Sequence, residues 1–193
     1  MHRWMPGATV VVALVSCTGH KGPVIVPGPE QDVVQKLALA ITDQPRRAVD
    51  LYDVELRQKP DVYEDVTRAP GEQRLKLFEA AQPRIGDVAA LDMLRAELTS
   101  ELLRGEFAKS LVGGKCAWGL PSAQDGDLYA GHEIPQPKPE MGQKIGMFVF
   151  ELNKDIAVMT KGRVQCPGGT SAWVQLVKRK GANAPLKILR IQP

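Results

Sequence analysis

The reactive side chains of this 193-residue chain are few: three cysteines, three histidines, and acids and glycines in short runs. Cys116 and Cys166 form an even pair once Cys17 is set aside. If they meet, closing a loop of about 50 residues stabilises the fold by on the order of 4 kcal/mol in the chain-entropy view. Cysteine catalysis needs a thiolate beside a histidine. Only His132 lies past the N-terminal stretch, and a Cys116–Cys166 bridge would consume both thiols. Zinc needs three or four nitrogen or sulfur ligands, more than these residues supply. Asp125, Asp127 and Glu133 share one stretch and carry the hard oxygens calcium prefers, but not at the spacing of a calcium loop. A mononucleotide loop would require G-x-x-x-x-G-K-[ST]; Gly113-Gly114-Lys115 has Lys109 at the first glycine position and Cys116 at the hydroxyl position. Gly168-Gly169-Thr170-Ser171 precedes an expected strand and predicts a tight turn. There is no G-x-S-x-G elbow for serine hydrolysis. The expectation is therefore no catalytic set, no metal and no cofactor.

Cys17 stands in a different setting. Arg3 gives a weakly basic start, an apolar run extends from Ala8 to Val15, and a small residue precedes the cysteine. A spanning helix needs about 20 apolar residues; this run has the length of a signal-peptide core. Leu14-Val15-Ser16-Cys17 resembles the lipobox of bacterial lipoproteins. That resemblance implies a signal peptide over 1–16, a diacylglycerol on the Cys17 sulfur, cleavage before Cys17 and acylation of the new amine. Two or three acyl chains hold firmly where one holds marginally. Thr18, in place of the aspartate that retains such proteins at the inner membrane, implies the outer membrane, with the protein facing the periplasm. An oxidising compartment in turn favours pairing of Cys116 with Cys166.

Composition allows a core, with 44% apolar residues, and 25 basic against 22 acidic residues leave a formal charge of +3. Lys178-Arg179-Lys180 is the one basic cluster and reads as a hairpin tip, so no nucleic-acid partner is expected.

The elements divide into two blocks. Residues 17–30 are rich in glycine and proline and read as a tether. Val33, Val34, Leu37, Ala38 and Ile41 recur with helical period after Pro29. A second helix is predicted after Pro45 with Val49, Tyr52 and Leu56 on one face. A third follows Pro70-Gly71 with Leu75, Phe78 and Ala81 inward. A fourth carries Val88, Leu91, Leu94, Leu98 and Leu102, with Phe107 and Leu111 extending the stripe until Gly113-Gly114 stops it. Arg95, Glu97, Glu101 and Arg104 form its solvated face. From 115 onward the pattern turns to strands: Lys115–Trp118, Lys144–Leu152, Ile156–Thr160, Thr170–Lys178 and Leu186–Ile191. Turns are expected at Asn153-Lys154-Asp155 and Gly181-Ala182-Asn183. A long polar loop with Pro135, Pro137 and Pro139 fills 119–143. Trp118 and Trp173 are read as core or sheet-face aromatics.

Helices over 31–112 followed by an antiparallel meander over 115–193 predict one α+β domain with helices packed on the sheet. The helix-turn-helix Val33–Leu56 and the closing hairpin resemble nuclear-transport-factor-2-like domains, which implies a curved sheet wrapped around helices and a cone between them. The sequence offers no Asp/His pair for that family's catalytic positions, so the resemblance bears on fold alone. The functional expectation is a non-enzymatic, lipid-anchored periplasmic module that binds or assembles another envelope protein. A small-ligand binder or enzyme with a pocket between helices and sheet, and a purely structural lipoprotein, are the alternatives.

Overall fold

The computed structural model describes residues 23–58, 71–120 and 154–192, with Gln143, Lys144 and Met147. Helix α1 (Pro29–Asp43) opens with proline at its start, where the missing N–H is not needed, and with Glu30 and Asp32 in the first turn. Its apolar residues Val33, Val34, Leu37 and Ala38 are buried, as their spacing predicts.

The second predicted helix is not continuous. Pro45–Leu51 forms a 3-10 helix. Tyr52 then becomes extended, making an isolated parallel bridge to Ile188. Helix resumes over 54–58, where the Asp53 side chain accepts the Leu56 N–H at 3.1 Å. Val49, Tyr52 and Leu56 are all buried. The apolar period marks burial correctly, but an aspartate capping a new turn overrides propagation of the earlier one.

In α2 (Gly71–Ala81) Phe78 is buried, whereas Leu75, expected inward, is 42% exposed. Helix α3 (Val88–Arg104) is capped by Asp87, whose carboxylate accepts the Ala90 N–H at 2.8 Å. Leu98 and Leu102 are buried, while Val88 at the exposed first turn is 71% exposed. The stripe does not run on in one helix. Gly105 is extended, and the short α4 (Glu106–Leu111) begins beyond it. Phe107 and Leu111 nevertheless reach the core. At Gly114, φ is +65° and the N–H returns to Leu111 O, so the predicted stop is present.

The sheet is a four-stranded antiparallel meander in the order β1 (Ala117–Gly119), β2 (Ile156–Gln165), β3 (Ser171–Arg179), β4 (Leu186–Gln192). The fold is α+β. Strand β2 runs to Gln165, beyond the Thr160 end that its sequence suggests. The β2–β3 connection turns through Pro167, Gly168 and Gly169, with both glycines at φ +88° and the Gly169 N–H donating to Cys166 O. That left-handed backbone is the tight turn expected there. The β3–β4 turn passes through Gly181, whose carbonyl accepts the Ala184 N–H.

Lys144–Leu152 is a correction: Gln143, Lys144 and Met147 are helical rather than extended. Short apolar runs suit a buried helix and a strand equally well, and period alone does not separate them. At the expected turn Asn153-Lys154-Asp155, Lys154 is helical and Asp155 is a turn residue, and Asn153 lies outside the described residues. The long loop, with His132, Asp125, Asp127 and Glu133, lies outside the described residues apart from Gly119, Leu120 and Gln143.

The main core joins α1, the 3-10 helix, α3 and α4 to one sheet face, where Val164, Ala172, Val174, Leu176 and Ile188 project. A smaller cluster of Leu56, Ile156, Met159, Val177 and Leu189 occupies the opposite face. Trp118 lies over Gly162: a Cβ there would fall 2.3 Å from the indole, so only glycine admits the ring.

Candidate functional site

Cys116 and Cys166 form a disulfide with Cα atoms 4.1 Å apart. Ala117 pairs with Gln165 in the β1–β2 ladder, so the two cysteines continue that register by one position. Both are buried. The bridge is structural in position: it fastens the three-residue β1 to the end of β2 and leaves neither thiol for metal or nucleophilic work. Cys17 lies outside the described residues.

Gln31, two residues into α1, is 2% exposed. Its Nε2 donates to Cys116 O at 3.0 Å and its Oε1 accepts the Trp118 N–H at 2.7 Å. The side-chain amide thus bonds β1 as the backbone of a neighbouring strand would. Trp173 sits on the other sheet face, with Lys161 and Arg163 at 5.8 and 5.9 Å from its ring centroid. Both distances suit a cation–π contact.

The polar groups that converge do so elsewhere. An open cleft of about 400 Å³ lies where the end of the 3-10 helix and residues 52–55 face α3, the end of β3 and the start of β4. Asp53 organises it. Oδ1 accepts the Leu56 N–H, and the carboxylate takes Arg179 through Nε at 2.7 Å and Nη2 at 2.5 Å. Glu55 Oε2 accepts the same Nη2 at 3.0 Å. Burial alone raises the Asp53 carboxyl, but the Arg179 guanidinium, the Leu56 N–H and the Lys187 charge together outweigh it and hold Asp53 below the ordinary carboxylate value. The Asp53 hydrogen bond pushes Arg179 the other way, keeping it firmly protonated. Burial, with Glu101 adding to it, drives the Tyr52 phenol well above the ordinary tyrosine range, so its hydroxyl stays neutral. These groups make a fixed, charged cleft wall in which Asp53 already accepts three hydrogen bonds.

Sequence reasoning did not find this cleft. Asp53 three residues before Leu56 is a helix-cap signal, but its union with Arg179 crosses 126 positions and leaves no local trace. Between the helices and the sheet, where the family resemblance implies a cavity, the space lined by Val34, Leu37, Phe107, Val174 and their neighbours is about 10 Å³. That is room for about one water and no more. Among the described residues no group of His, Cys, Asp and Glu converges to hold a metal, and no helix is long and apolar enough to cross a membrane.

The chain matches no protein-family model, no curated protein and no solved structure.

Proposed function

We propose that this chain is an outer-membrane-anchored periplasmic lipoprotein that serves as a non-enzymatic binding or assembly module for another envelope protein. The observation that carries the reading is the division of the three cysteines. Cys116 and Cys166 are joined to each other, and the third, Cys17, closes the sequence Leu14-Val15-Ser16-Cys17. A buried disulfide accords with an oxidising compartment. A lone cysteine after a short apolar run accords with a lipid attachment point. The membrane contact is then the acyl chains on Cys17, the tether read over 17–30 extends as far as the start of α1 at Pro29, and the folded part meets its partner at the envelope surface.

Mass spectrometry of the N-terminal peptide from the native organism tests this. The expected mass is that of a chain beginning at Cys17 with thioether-linked diacylglycerol. A Cys17→Ser variant should lose both the lipid and its membrane fractionation. An unmodified Cys17, or a Cys17→Ser form that fractionates like the parent, overturns the anchor.

The cleft beside Asp53 supports a second reading, a module that takes a small ligand. Its volume lies in the lower part of the range for small-molecule sites. This open cleft is not the pocket between helices and sheet that the alternative expects, where the described lining residues enclose about 10 Å³.

A further inference from the structure

We propose that the Asp53–Arg179 cleft takes a peptide-like ligand through a single carboxylate. The argument is one of donors and acceptors. Glu55 accepts one hydrogen bond and keeps acceptor capacity, but at Asp53 the capacity is already used: it accepts three hydrogen bonds, two from Arg179 and one from the Leu56 N–H. On the basic side it is not. Arg179 binds Asp53 and Glu55 through Nε and Nη2, and among the described residues its Nη1 meets no acceptor. Its side chain is 37% exposed. Lys187 lines the same cleft and lies close enough to act electrostatically on Asp53, and among the described residues its ammonium meets no acceptor. A lysine and one remaining edge of a guanidinium, held in place by an ion pair behind them, suit an incoming carboxylate.

Two further features narrow the ligand. Asp50 and Glu55 line the same cleft, as does Arg95, which is paired with Asp92; the two carboxylates disfavour a second negative charge, so a carboxylate is favoured over the phosphate dianion. Their unused oxygens are acceptors for an amide N–H beside the carboxylate. Val49, Val54, Ala184 and Pro185 supply apolar wall for a small side chain. A carboxylate, an adjacent N–H and a small apolar group together describe the C-terminal end of a short peptide. This inference rests on the small-ligand reading of the cleft and is independent of the lipid anchor.

The test uses the full protein isolated from its own cells in detergent, with arginine and lysine side-chain resonances followed by NMR. Three probes are titrated: acetyl-L-alanyl-L-alanine, its C-terminal amide, and inorganic phosphate. The acid should shift Arg179 and Lys187 saturably, and the amide should bind at least tenfold more weakly. Lys187→Ala should weaken the acid at least tenfold, while Lys187→Arg retains it. Equal binding of acid and amide, or tighter binding of phosphate, overturns the carboxylate assignment but leaves a small-ligand cleft. If none of the three probes shifts these residues, both the assignment and the small-ligand reading fall.

Discussion

Gln31 and Asp53 are polar side chains buried because backbone groups need them. Gln31 serves Cys116 O and the Trp118 N–H together. In Gln31→Ala both would be left without that partner, and each unsatisfied buried group costs about 1–3 kcal/mol. The expected loss is about 3 kcal/mol, read as a lower denaturant midpoint at unchanged slope. Asp53 carries a pH signature. Its folded-state carboxyl lies below the ordinary value of 3.8, so its contribution to stability is complete above that value and fades as pH falls through the folded-state value. Asp53→Asn should therefore lower stability at neutral pH and flatten the acid limb of the stability curve below about pH 4; an unchanged acid limb would show that other carboxylates govern it. Neither residue stood out beforehand. A glutamine in a first helical turn looks like any solvated polar side chain, and only the three-dimensional approach of β1 reveals its role.

At the scale of elements, apolar spacing located what is buried better than it located where helices end. Val33, Val34, Leu37 and Ala38, Leu98 with Leu102, and the alternation in β3 all face the core as their periods require. The interruptions at Tyr52 and Gly105 were not legible, because a bridge to a distant strand and a backbone bend between α3 and α4 are tertiary facts. Gly162 belongs to the same class. In sequence it reads as an ordinary strand glycine, yet the Trp118 indole fills the space a methyl would need. Gly162→Ala should destabilise by about 1–3 kcal/mol, the usual cost of overpacking. The loss should shrink when combined with Trp118→Val, giving a clear coupling energy in the double-mutant cycle. Additive losses would mean that the two side chains do not compete for that space.

For the whole molecule, the cysteine pair was the most legible long-range feature, since an even pair in a chain with an export-like start has one natural partner each. The charged cleft was the least legible, being assembled from the 3-10 helix, α3, β3 and β4. The disulfide fastens the start of β1, just past the helical block, to the end of β2. Replacing both Cys116 and Cys166 by alanine should remove about 4 kcal/mol, a large share of the stability of a typical domain. The difference should vanish when parent and variant are both unfolded under reductant. Alkylation of the unfolded, unreduced parent should leave Cys116 and Cys166 unlabelled.

The outermost strands, β1 and β4, each meet something other than a strand of the meander. The Gln31 amide occupies the free side of β1 at positions 116 and 118, and the Asp53 N–H takes Ile188 O on the free side of β4. Those are the backbone groups an incoming chain would need to lengthen the sheet. At these points the two flanks are engaged, so a copy of the protein would have to displace the Gln31 amide or residue 53 to lengthen the sheet there.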